Sequence, residues 1–167
     1  MPVVPFETLP ANARVWVFAS DAPIAGEQAE LLLGVVDDYL GAWRAHGQPL
    51  TCGRVWRDDR FLAIAVDQTD AYASGCSIDG LFRTLQQLQQ RLGASLVGGG
   101  RVFYRTSAGA VTSVARDEFA RLGEEGQVTG ATAVFDPTVA TAAEWATRFE
   151  TEAASSWHAQ LLPTTSG

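Results

Sequence analysis

Apolar residues recur along this chain with two spacings, and the alternation between them divides it into elements. Arg14-Val15-Trp16-Val17-Phe18-Ala19 has the β-branched and aromatic content of a strand. From Gly26 to about His46, the residues Leu32, Val35, Val36, Tyr39, Leu40 and Trp43 fall three or four apart, which predicts a helix with one apolar face. Gly47 and Pro49 are its stop signals. Thr51 to Arg57 and Arg60 to Asp67 predict two strands joined tightly at Asp58-Asp59. The second is almost continuously apolar, as a strand buried on both faces must be, and is expected at the centre of a sheet.

A second periodic stretch, Ser77 to Leu92, places Ile78, Leu81, Phe82, Leu85, Leu88 and Leu92 on one side and Gln86, Gln87, Gln89 and Gln90 on the other. Gly93 ends this predicted helix. Arg101 to Thr106 and Ala110 to Ala115 read as a hairpin around Ser107-Ala108-Gly109, where Gly109 supplies the left-handed residue of a three-residue loop. A short helix near Asp117 to Glu125, a strand Thr132 to Asp136 and a helix Thr141 to about Glu150 follow. The order β-α-β-β-α-β is that of the split βαβ pattern of ferredoxin-like sandwiches. The expected architecture is therefore α+β, a ferredoxin-like core with a C-terminal extension. No repeat or linker interrupts the pattern, and 167 residues suit a single globular domain ordered from about residue 10 to 162.

Charge and composition then narrow the function classes. The net charge of −7 is spread along the chain, which disfavours general nucleic-acid or anionic-membrane binding. All 12 basic residues are arginine. Without a lysine the chain cannot build a Walker A loop, a protein-kinase phosphate site or a Schiff base in its usual form. The glycines of Gly98-Gly99-Gly100-Arg101 precede a strand pattern rather than a helix, so they fit neither the P-loop nor the dinucleotide fingerprint. No apolar run approaches the length of a spanning helix, and the N-terminal residues lack a signal-peptide pattern, so the expected location is the cytoplasm. Cys52 and Cys76 are too few for a disulfide framework. With His46 and His158 they have the composition of a zinc site but not its paired short intervals, so neither a metal nor a cofactor is expected.

The most concentrated candidate chemistry is Ser74-Gly75-Cys76-Ser77-Ile78-Asp79, between the Phe61–Asp67 strand and the Ser77–Leu92 helix. Free N–H groups and the helix dipole converge at such a corner, which can bind an anion or lower a thiol pKa. Cys76 is the candidate nucleophile, and His46 or His158 the candidate base. Ser74, Ser77, Asp79, Asp67 and Trp157 are the candidate ligand-binding residues. The competing structural reading makes Ser77 an N-cap, Asp79 a first-turn acid and Cys76 a small packed residue.

Arg14-Val15-Trp16-Val17, Trp43-Arg44-Ala45-His46-Gly47-Gln48-Pro49-Leu50, the segment Ser74 to Asp79 and Ser156-Trp157-His158 together make the chain resemble an uncharacterised family of small bacterial proteins. Members are labelled hypothetical protein or ABC transporter ATPase, and the second label does not suit a chain with no P-loop and no lysine. The resemblance brings no established activity. It implies only that both histidines, Cys76, Ser77 and Asp79 fall on the family's motifs. Two functions stay open: a module binding a small molecule or a protein at the Cys76–Asp79 helix start, and a thiol-dependent hydrolase or acyl transferase.

Overall fold

A computed structural model describes residues 3–45, 48–68, 75–96 and 101–163. The fold is α+β, with helices beside antiparallel sheets. The chain forms two compact units, one from residues 1–98 and 137–146, the other from 99–136 and 147–167.

The first unit contains β1 (Arg14–Ala19), α1 (Glu27–Ala42), the two-residue strands β2 (Arg44–Ala45) and β3 (Gln48–Pro49), β4 (Thr51–Arg57), β5 (Phe61–Asp67) and α2 (Gly75–Leu92). Its main sheet has the order β1-β5-β4 with β5 antiparallel to both neighbours. β1 and β4 therefore run parallel with β5 between them, which is the split βαβ arrangement expected from the element order. β5 is central because six of its seven residues are buried. The turn into it is made by Asp58 and Asp59, both at φ 56°, a left-handed pair that matches the twist of a tight hairpin and that aspartate tolerates.

Strand pleating sends alternate residues to opposite faces. Phe18, Leu62, Ile64 and Val66 face Leu32, Val36 and Leu40 of α1 and Leu81, Leu85 and Leu88 of α2. On the other face Val15, Ala63 and Ala65 pack with Leu9 and Ala13 and with the partly buried Phe6, Val55 and Trp145. Small residues on this face let the N-terminal segment approach: a Cβ at Gly53 would stand 2.6 Å from the Val4 carbonyl oxygen. The sheet's edges are also covered. Val4 N–H donates to the Cys52 carbonyl at 2.8 Å beside β4, and Val15 N–H donates to the Ala140 carbonyl at 2.9 Å beside β1.

Ala140 and Thr141 thus stand where a ferredoxin-like sheet would place its fourth strand. The strand expected there, β6 (Arg101–Arg105), lies instead in the second unit's sheet. A split βαβ half is present, and among the described residues its sheet has three strands rather than the four of a ferredoxin-like sheet. α1 also ends earlier than its apolar spacing predicts, because Trp43 leaves the helix with extended backbone and buries its ring in the core. α2 begins at Gly75 rather than at Ser77.

The second unit has a four-stranded sheet, β7-β6-β8-β9, with β7 (Val111–Ala115), β8 (Ala133–Phe135) and β9 (Glu150–Glu152). The predicted β6–β7 hairpin is present, with Gly109 at φ 89°. α3 (Arg116–Glu124) lays Phe119 and Leu122 on a core with Val102, Val128, Val134 and Ala153. The Thr141–Glu150 helix is shorter than predicted. It forms as α4 (Ala142–Arg148), and Glu150 opens β9 instead. Two 3-10 turns, Ala153–Ser155 and Trp157–Leu161, follow.

Candidate functional site

The helix start singled out in the sequence is present in the backbone. With α2 beginning at Gly75, Cys76 is its second residue and Ser77 its third, so Ser77 is inside the helix rather than its N-cap. Asp79 is exposed and falls beyond the first turn, where the dipole acts less strongly. The side chains of Cys76 and Ser77, and all of Ser74 and His46, lie outside the described residues. Asp67 is the half-buried last residue of β5, in register with Thr51. α2 packs closely on α1 at Gly80, where a Cβ would stand 2.5 Å from the Tyr39 hydroxyl. Burial raises the pKa of that hydroxyl, against an opposing effect of Arg83.

The other described cysteine offers no reactive thiol. Cys52 is fully buried in the α1–α2 core, its thiol faces the Leu40 carbonyl at 3.8 Å, and burial pushes its pKa up to about 11.

Trp157 and His158 belong to the second unit, where they are held in a compact polar cluster. The indole and imidazole stack with centroids 3.8 Å apart, and Phe119 meets the imidazole edge-on at 6.1 Å. His158 Nδ1 shares a 2.7 Å hydrogen bond with Ser156 Oγ. Its Nε2 is buried with no hydrogen-bond partner among the described residues. Burial draws the His158 pKa down to about 4, and the Asp136 carboxylate only partly opposes this while Arg116 adds to it. Trp157 Nε1 donates to Asp136 Oδ1 at 3.3 Å, and Arg148 donates to Oδ2 of the same buried carboxylate at 3.0 Å. The Arg116 guanidinium lies over the indole at 5.2 Å. Trp157 is therefore held by the imidazole stack, by the Arg116 guanidinium and by the bond at its N–H. The neutral, enclosed imidazole is poorly placed to exchange protons with a substrate.

Two cavities stand out among the described residues. One, of about 520 Å³, belongs to the first unit and opens beside the sheet face covered by the N-terminal segment. Phe6, Leu9, Val55, Ala142 and Trp145 give it apolar walls, and Glu7 is its one charged lining residue. Phe6 and Trp145 lie 6.1 Å apart at a tilt of 59°, as aromatic pairs prefer. Neither Phe6 nor Trp145 stands in a motif, so the sequence alone does not single them out. The only available signal was an aromatic in the Pro5-Phe6 lead-in. The other cavity, of about 630 Å³, belongs to the second unit and is lined largely by hydroxyl-bearing residues.

Among the described residues no group of three or more His, Cys, Asp and Glu side chains is placed to hold a metal ion, and no helix is long and apolar enough to cross a membrane. No family model, curated protein or solved structure matches the chain.

Proposed function

We propose that this protein is a small-molecule binding module whose ligand sits in the apolar cavity between Phe6 and Trp145. The observation that carries this reading is the cavity itself: about 520 Å³ of space with apolar walls and one carboxylate. Its volume lies within the range of ligand pockets, and its walls supply hydrophobic contact while a single polar group fixes orientation. The exposed Glu7 selects a ligand with an apolar or aromatic body and one cationic group. In this reading the protein works in the cytoplasm, with a small molecule or another protein as partner rather than nucleic acid, in keeping with its net charge of −7.

The test is calorimetric titration of the full chain with tryptamine and phenethylamine, repeated on Ala146→Phe. Ala146 is an exposed helix residue at the cavity wall, so the added ring fills the space at little cost to the fold. Saturable binding of an amine, lost in Ala146→Phe and weakened in Glu7→Gln, is expected. Binding unchanged by the filled cavity, or no binding by either amine, overturns the reading.

A second reading, a thiol-dependent hydrolase or acyl transferase, is favoured by the place of Cys76 in the first turn of an 18-residue helix. The dipole there stabilises a thiolate. Cys76 would attack as nucleophile, with Ser77 or backbone N–H groups stabilising the oxyanion. The burial of His158 leaves His46 as the better-suited base. Iodoacetamide alkylation of Cys76 across pH, in a Cys52→Ala background, decides the matter. An apparent pKa well below the ordinary value of about 8.5 that rises in His46→Ala supports the enzyme. An ordinary pKa or an inert thiol removes it.

A further inference from the structure

The sheet of the second unit comes apart at one end. β6 pairs with β8 at Phe103↔Phe135 and Tyr104↔Val134, and pairing stops there. Continued, that register would set Arg105 opposite Ala133, Thr106 opposite Thr132 and Ser107 opposite Ala131. All six of these residues instead line the cavity of about 630 Å³. It therefore opens where the next rungs of the sheet would stand, with Tyr104, Thr129 and Gln127 completing the wall.

The chemistry of this wall is narrow. Five of its nine residues, Tyr104, Thr106, Ser107, Thr129 and Thr132, carry hydroxyl groups. Thr129 Oγ1 accepts from Ala131 N–H at 3.2 Å and Thr132 Oγ1 accepts from Thr129 N–H at 2.9 Å, which fixes both oxygens and leaves their hydrogens to donate elsewhere. The Thr106 backbone is fixed by the hairpin, its N–H donating to the Ala110 carbonyl at 2.8 Å and its carbonyl accepting from Gly109 N–H at 2.8 Å. The side chains of Thr106 and Ser107 have no hydrogen-bond partner among the described residues. Arg105 is the one charged lining residue. Its guanidinium is already engaged by both carboxylate oxygens of Glu150, at 2.9 and 3.3 Å, and by the Gly109 carbonyl at 2.8 Å.

An anion would find its only cation neutralised, and a cation would find no carboxylate in the wall. A strand-adding peptide would find only the Tyr104 ring, Ala131 and Ala133 for its apolar side chains. What the wall offers is a set of neutral donors and acceptors in a space of ligand size. We infer that the gap between β6 and β8 is a second binding site, and that it takes an uncharged polyhydroxylated molecule, a sugar or cyclic polyol, through hydroxyl-to-hydroxyl hydrogen bonds. The site lies wholly within the second unit and does not depend on the Phe6–Trp145 cavity.

The experiment follows backbone amide shifts of the full-length protein by NMR during titration to millimolar D-glucose, trehalose and myo-inositol, with glucose 6-phosphate as the charged counterpart. At least one neutral probe is expected to shift the amides of residues 104–107 and 127–133 saturably. The double variant Thr106→Val with Ser107→Ala, which removes two hydroxyls that hold nothing else, should bind about tenfold more weakly with an unchanged melting temperature. The inference is overturned if none of the three neutral probes binds, if the shifts fall outside those residues, or if the double variant binds as well as the parent. Tighter binding of glucose 6-phosphate than of glucose overturns the uncharged class.

Discussion

The two sheets of this protein are closed in different ways. In the first unit the β4–β5 ladder runs without a break from Thr51↔Asp67 to Arg57↔Phe61, and both faces of the sheet are covered by apolar residues. In the second, β6 and β8 share two rungs, and the core around Phe119 closes over a buried imidazole and lies beside a buried carboxylate. A sheet paired along its length leaves no space in its own plane, so the first unit's cavity lies on a face and is apolar. A sheet that stops pairing leaves space between strands, flanked by polar main chain, and the second unit's cavity is accordingly polar. The same contrast governs stability. The hydrophobic clusters of the first unit hold no group that changes charge between pH 4 and 7, whereas the second unit's core requires His158 to stay neutral.

The largest effect that tests this contrast is in the first sheet. Ile64 is fully buried at the centre of β5, facing both helices. Ile64→Ala removes buried methyl groups and leaves a cavity that a fully paired strand cannot collapse around, and should cost about 3 kcal/mol. Urea unfolding at several pH values measures it. The cost should be the same at pH 7 and pH 5, since the titratable members of its hydrophobic cluster, Cys52 and Tyr39, both have raised pKa values and stay neutral across that range. A cost below about 1 kcal/mol would show that the strand is not the scaffold its ladder implies.

How much of this was legible in the sequence depends on how local each determinant is. β5 was legible because continuous burial leaves a continuous apolar run, and the β6–β7 hairpin because Gly109 marks its turn. The departure of β6 to a second sheet was not, since strand partners are chosen by contacts distant in sequence, and residues 140–141 come from beyond the point where the pattern was closed. Trp43 carries helical spacing yet leaves the helix, because burying the indole outweighs propensity for one more turn. The division into two units has no linker signal because the chain passes between them more than once, at residues 98–99, 136–137 and 146–147. At the candidate sites, the helix start at Cys76 was legible from one local motif. The Phe6–Trp145 cavity and the β6–β8 gap were not, since each is assembled from segments that only the fold brings together.

The smaller test falls on the second unit and has a sign that packing alone would not produce. His158 has a pKa of about 4 when folded, against 6.5 for an ordinary histidine. Between those values the unfolded chain binds a proton that the folded chain refuses, so stability rises with pH. The contribution is fully present above pH 6.5, is lost as pH falls toward 4, and amounts to at most about 3 kcal/mol. Protonation would place a charge between Trp157 and Phe119 with Arg116 nearby, and Asp136 compensates only in part. Carboxylates elsewhere also titrate in this range, so the informative quantity is the difference between the parent and His158→Gln. The variant should be less stable at pH 7, where the Ser156 bond and the ring stack are lost, and the gap should narrow steadily toward pH 4. A gap that stays constant with pH would mean that the imidazole reaches water in the folded state, and the contrast between the two units would then reduce to the pairing of their strands.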